Sequence, residues 1–174
     1  MKTLIDHLAQ YAAYHRDPRN IHTHFVGVPM IMFAVVLLLS RPVWWVAGVP
    51  ASPALVCAVA AAAFYLRLDL RLGLVMAALL AAMLALAQAM APLATTAWLL
   101  WGVGLFAVGW VIQFVGHYYE GRKPAFVDDV MGLLVGPLFV VAEWGFALGL
   151  RTEVQAAIEQ RSGPVRLRDL GRAA

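Results

Sequence analysis

The side chains with metal-binding chemistry gather in two places along this sequence. Tyr14 to Pro29 reads YHRDPRNIHTHFVGVP, and Gln113 to Asp129 reads QFVGHYYEGRKPAFVDD. Together they hold His15, His22, His24 and His117, with Asp17, Asn20, Gln113, Glu120, Asp128 and Asp129 alongside. Imidazole is a common nitrogen ligand of borderline divalent cations, and nearby carboxylates complete the shell or hold the ring N–H groups. Three imidazoles in one place suit Fe(II) or Zn(II). The spacing matches no compact motif such as HExxH, so a site here must be assembled by the fold from distant segments.

Local patterns say how. Asp17-Pro18 reads as a helix N-cap followed by proline at the first helical position. On a helix starting there, Asn20 and His24 lie one turn apart on one face, so Asn20 can orient the imidazole or its ligand. His15 precedes the cap and can fold back; on one unbroken helix His15 and His24 would point to opposite faces. His22 competes, because on a continuous helix it shares a face with His15. Downstream, Gln113 and His117 are one turn apart and Glu120 follows, with Gly121 fitting a helix end and Asp128 or Asp129 the next cap. Blander readings stand beside these. A single interfacial His is commonly a hydrogen-bonded helix-end residue, His7 reads as a solvated residue, and Asp128 and Asp129 read as caps more than ligands. Arg122 and Lys123 read as a basic flank. Glu143, inside the last apolar stretch, either pairs within a bundle or faces a charged or metal partner.

Composition sets what must position these groups. Hydrophobic residues are 63% of the 174 and charged residues 13%, against roughly 45–50% and 25% in soluble domains. A chain of this size cannot hide so much apolar surface from water, which excludes a soluble globule and a disordered chain. The net charge of +3 is mild, and the basic residues sit in loops and tails rather than on one face, so nucleic acid is not an expected partner. Cys57 is the single cysteine and forms no internal disulfide. The opening MKTLIDHLAQYAAYHRDPRN lacks the apolar core of a cleavable signal peptide.

Five apolar stretches follow: Phe25 to about Ala47, Pro53 to Leu66, Leu72 to Met90, Leu93 to Val115, and Val130 to Leu150. In lipid each must be helical, because its backbone polar groups find partners only within the segment. The expected fold is all-α: an integral membrane helical bundle with four transmembrane helices plus a fifth re-entrant or spanning helix, interrupted by Gly136-Pro137. With four crossings, Lys2, Arg16, Arg19, Arg67, Arg71, Arg122 and Lys123 share one side and Arg41 stands alone on the other. A fifth element that does not span keeps Arg151, Arg161, Arg166, Arg168 and Arg172 with the majority, and the positive-inside rule makes that side cytoplasmic. Even parity between His24 and His117 then brings the histidines, Asp17, Asn20, Gln113, Glu120 and Asp128 to one face. Residues 1–150 are expected as one membrane-embedded catalytic domain. Residues 151–174 form a polar tail, helical to about Arg161 and loosely ordered after Ser162-Gly163-Pro164.

The two motifs, followed by Pro137 and Glu143, resemble the 2-hydroxy fatty acid dioxygenases, small membrane proteins known from fungal endoplasmic reticulum. The resemblance runs to about Leu150. It implies metal-binding histidines at His15, His24 and His117, with His22 where the family pattern is not held to histidine, and matching positions at Asn20, Glu120 and Glu143. It further implies an Fe2+-dependent α-oxidation in which a long-chain 2-hydroxy fatty acid reacts with O2 to give CO2 and the acid one carbon shorter. In fungi this belongs to breakdown of a sphingolipid long-chain base. The Ala- and Arg-rich, Lys-poor composition points instead to a bacterial inner membrane, with the metal site at its cytoplasmic face. Asn20 and Glu120 are expected to serve catalysis with the three histidines, and Glu143, Asp17 and Asp128 to support them or ligate. Zn2+ remains the competing metal, in a membrane lipid hydrolase. A non-enzymatic transporter or assembly protein would instead spread polar groups through the bilayer, where Gln88 and Glu143 are nearly the only candidates.

Overall fold

The computed structural model describes residues 2–170; Arg172, counted above with the basic tail, lies outside the described residues. The elements run α1 (Leu4–Ala12), α2 (Pro18–Ser40), β1 (Trp44–Val46), β2 (Val49–Ala51), α3 (Pro53–Leu68), α4 (Leu70–Met90), α5 (Thr95–Glu120), a 3-10 turn (Ala125–Val127), α6 (Met131–Ala147) and α7 (Thr152–Ser162). Three helices, α2, α4 and α5, are long and apolar enough to cross a membrane; α6 and α7 reach that standard only as one broken span bent by 118°. At 16 residues α3 falls short of the roughly 20 that a full crossing takes. The molecule is a helical bundle of membrane type, as expected; among the described residues three helices have full spanning length, where four crossings and a fifth element were expected.

Two compact units divide the chain, one built from residues up to Val28 and from Trp110 onward, the other from Pro29–Gly109. In the second, Ser52 caps α3 ahead of Pro53, and the Asp69 side chain caps α4 by accepting Leu72 N–H at 2.9 Å. Val36, Leu37, Ala54 and Ala87 form a buried core with Phe33, Met83, Leu84 and Trp98 against it. Arg41 is anchored there by Thr95 Oγ1 at 3.0 Å and by the Trp98 ring. One expectation fails in this unit. The first apolar stretch is not helical as far as Ala47: α2 ends at Ser40, and a short antiparallel hairpin pairs Trp44 with Ala51. Pro42 disfavours helix at the residue before it, Val43 to Val46 are β-branched or aromatic, and Ala47-Gly48 are both left-handed, the geometry of a two-residue hairpin turn.

In the first unit Thr3 and Asp6 close a capping box at the start of α1. α2 starts at Pro18, with Arg19 N–H donating to Asp17 Oδ1 at 2.9 Å. α5 ends where Gly121, at φ +67°, donates to the His117 carbonyl. Gly136-Pro137, expected to interrupt its stretch, lies inside a continuous α6 whose residues 135–142 are all buried. Packing there outweighs the loss of one helical N–H. The tail past Ser162 is tied down rather than loose. Arg166 N–H donates to the Arg16 carbonyl at 2.9 Å, Arg168 N–H to Asp17 Oδ2 at 2.8 Å, and Arg19 Nη2 to the Arg168 carbonyl.

Candidate metal centre

His15 sits in the loop after α1, His24 in the second turn of α2 and His117 in the last turn of α5. Their relative exposures are 0, 2 and 6%. One ring nitrogen from each lies within 4.8 Å of the other two. His22 is exposed and paired with Phe25, so the break at Pro18 selects His24, not His22, as the partner of His15.

The backbone fixes how two of these rings are protonated. His15 Nδ1 bonds the Tyr11 carbonyl at 2.8 Å and His24 Nδ1 bonds the Asn20 carbonyl at 2.9 Å. A carbonyl only accepts, so both Nδ1 atoms carry hydrogen and both Nε2 atoms of the neutral rings carry lone pairs. Those Nε2 atoms face each other at 3.0 Å. A hydrogen bond between them would require one ring to surrender its carbonyl. Burial, then the neighbouring His24, push the His15 imidazole well below its ordinary pKa, so protonation does not relieve the contact at neutral pH. Tyr11 stacks on the His15 ring, centroids 4.1 Å apart and 6° from parallel, and Phe139 lies 5.6 Å away. His117 Nδ1 is buried and makes no hydrogen bond among the described residues.

Two facing lone pairs and one ring nitrogen of His117, all within 4.8 Å of one another, are the donor set of a divalent cation. Nitrogen ligands bind zinc at about 2.0–2.1 Å, so two of them on one ion stand about 3 Å apart. The residues present therefore fit a metal, and the carbonyl contacts supply the ring orientation that metal-binding histidines take from their other nitrogen.

The remaining residues singled out in the sequence hold the surroundings. Glu120 accepts Arg16 N–H at 3.0 Å, Asp17 N–H at 2.8 Å and Asn20 Nδ2 at 3.1 Å. Asn20 also donates to the Tyr14 carbonyl, and its Oδ1 is buried without a partner. Asp17 is buried and paired with Arg19 at 2.7 Å, which holds its carboxyl well below the usual range. Glu143 lies 3.9 Å from Arg16 Nη2. Asp128 stands apart on the surface, bound by Lys123 at 2.5 Å and Tyr14 Oη at 2.8 Å. Asp129 caps Met131 N–H.

Sequence reading missed two contributors. Tyr11 supplies both the stack and the carbonyl for His15, and its position one turn ahead of that histidine was the available signal. Arg16 counted only as a charge, yet it binds the carbonyls of Ala12, His15 and Gly163 and leaves Nη2 buried without a hydrogen bond. A half-open pocket of about 840 Å³ lies beside it, lined by Arg122, Arg161, Arg166 and Arg168 together with Asp17, Glu120 and Asp169.

Comparison with known proteins adds two findings. Residues 1–148 match the family described as 2-hydroxy-palmitic acid dioxygenase Mpo1-like. The 2-hydroxy-palmitic acid dioxygenase MPO1 of Saccharomyces cerevisiae is 35% identical over 154 residues, covering 87% of this chain and 85% of the relative. No solved structure matches.

Proposed function

This chain belongs to the Mpo1-like family, and from that premise we propose that it is an Fe2+-dependent dioxygenase acting on long-chain 2-hydroxy fatty acids. The reaction balances as R–CH(OH)–COOH + O2 giving R–COOH + CO2 + H2O. The C1–C2 bond breaks, the two carbons lose four electrons in all, and dioxygen accepts them. The observation that carries this reading is the 3.0 Å approach of two Nε2 lone pairs, with a ring nitrogen of His117 within 4.8 Å of both.

In this reading His15, His24 and His117 hold the cation, which when bound supplies the redox centre where acid and O2 react. The Tyr11 and Asn20 carbonyls keep the His15 and His24 lone pairs turned inward. Glu120 and Asn20 fix the loop that carries His15, and Asp17 fixes its junction with α2. Arg16 and Glu143 form a charged pair next to His15. The arginine-lined cavity attracts the anionic head of a fatty acid arriving from membrane lipid, while the apolar helices suit its alkyl chain. We further propose that the site lies at the cytoplasmic face of a bacterial inner membrane, the side on which the positive-inside rule would collect most of the Lys and Arg.

The test is anaerobic loading with Fe(II), followed by measurement of O2 uptake, CO2 and shortened acid with a 2-hydroxy acid. Stoichiometric uptake is expected, together with loss of iron and turnover in H15A, H24A and H117A. Full iron content and activity in all three variants would end the proposal. The donor set also accepts zinc, and lipid hydrolysis without O2 uptake would replace the dioxygenase by a zinc hydrolase.

A further inference from the structure

Gln113 lies one helical turn before His117, and residues 113, 116 and 117 form the buried stripe of this part of α5 while 114, 115 and 118 are exposed. Side chains on a helix lean toward its N-terminus, so His117 leans over the turn that carries Gln113. Gln113 is 3% exposed. Both its amide oxygen and its amide nitrogen are buried with no hydrogen-bond partner among the described residues.

A buried primary amide left wholly unpaired is rare, because two donors and an acceptor lose water and gain nothing. Packing alone would be served better by methionine or leucine of similar size. The unmet groups call for a partner that offers an acceptor and a donor side by side. A 2-hydroxy acid does so across C1 and C2: a carboxylate oxygen accepts from Nε2–H, and the hydroxyl donates to Oε1. An unsubstituted fatty acid offers only the acceptor.

We infer that Gln113 is the substrate-specificity residue that reads the 2-hydroxyl group, an inference that rests on the substrate class proposed above. Selection for a hydroxyl works through the protein polar group that its absence leaves unpaired, and Gln113 is that group.

The experiment measures anaerobic binding of 2-hydroxypalmitate and palmitate to the Fe(II)-loaded full-length protein, as wild type and as Gln113→Met, with metal content determined in each. The wild type is expected to prefer the 2-hydroxy acid at least tenfold, and Gln113→Met to lose most of that ratio at unchanged metal content. Gln113→Glu, close in size, places a second anion against the carboxylate and is expected to weaken 2-hydroxypalmitate at least tenfold; it is the variant read if Gln113→Met fails to fold. Equal ratios in wild type and Gln113→Met overturn the inference, as does a wild type that binds both acids alike. So does a Gln113→Met that weakens both acids equally, which would mean a bound water is all the amide serves. Turnover is read separately: a wild type that prefers the 2-hydroxy acid yet consumes no O2 removes the reaction and leaves the reading of Gln113 intact.

Discussion

The Glu120 carboxylate accepts the backbone N–H of Asp17 at 2.8 Å across 103 positions of sequence. The same group takes Arg16 N–H and the Asn20 amide, so one side chain at the end of α5 fixes the loop that holds His15. Glu120→Ala strands these donors, and the loss is expected to reach about 2–3 kcal/mol. Glu120→Gln keeps an acceptor but not the charge and is expected to lose about half as much. Denaturant unfolding in detergent, with metal content measured in parallel, checks both; wild-type stability and metal content in Glu120→Ala would refute the role.

Gly116 is where α2 and α5 come close within the first unit. A Cβ there would collide with Thr23 Oγ1 and Asn20 Oδ1, and Thr23 is already committed to the Asn20 carbonyl at 2.7 Å, the acceptor that orients His24. Gly116→Ala is expected to destabilise by about 1–3 kcal/mol through overpacking. It should also weaken metal binding, because the displaced segment carries His24. A variant that unfolds and titrates metal as the wild type does would refute this.

How much of this was legible in the sequence follows from the range of each interaction. The break at Pro18, the Asn20–His24 pairing one turn apart and the end of α5 at Gly121 are local, and the sequence spells them out. The convergence of His15, His24 and His117 is not local; family resemblance names the three residues, whereas crossing parity only assigns His24 and His117 to one face and rests on four crossings, of which three have full length among the described residues. The hairpin at Trp44–Val46 was hidden because apolar runs look alike whether helical or extended, and only Pro42 marked the change. The Glu120 contacts to Arg16 and Asp17 could not be read, since a side chain bound to distant backbone amides leaves no pattern in residue types. The docking of Arg166 and Arg168 on Arg16 and Asp17 is backbone pairing of the same kind, and Gly163-Pro164 suggested a loose end instead.

Metal loading should stabilise the fold in proportion to site occupancy. A ligand bound only by the native state contributes about 2.7 kcal/mol at a hundredfold excess over its Kd. Addition of Zn(II), which avoids redox chemistry, to chelator-treated protein is expected to give an increment of that order, and His24→Ala is expected to lose it. Thermal unfolding with and without metal gives the measurement. An equal increment in His24→Ala would place the bound cation elsewhere.

Removing residues 163–170 takes away the Gly163, Arg166 and Arg168 backbone contacts to Arg16, Asp17 and Arg19. The helices remain, so the expected effect is local: faster amide exchange at residues 15–19 and faster loss of metal to chelator, with little change in α3 or α4. Wild-type metal release from the shortened protein would show the strap to be dispensable.

Asp6 governs how α7 answers to acid. Its carboxyl is held well below the usual carboxylate range, first by the Thr3 backbone N–H and then by Arg161, which reaches it at 2.6 Å. A folded-state pKa below that of the unfolded chain means that ionised Asp6 favours the folded, docked state. That contribution is complete above about pH 4, where the unfolded carboxylate titrates, and is lost as pH falls through the lower folded value. Docking of α7 on α1 should therefore be flat from neutrality to about pH 4 and loosen only below it. Both partners are solvent-accessible, so salt should diminish the effect. Amide exchange at residues 152–162, corrected for intrinsic rates, is expected to show a small acid-induced loosening that is absent in Asp6→Asn. An opening that begins near pH 6, or one that persists unchanged in Asp6→Asn, would assign it to another group.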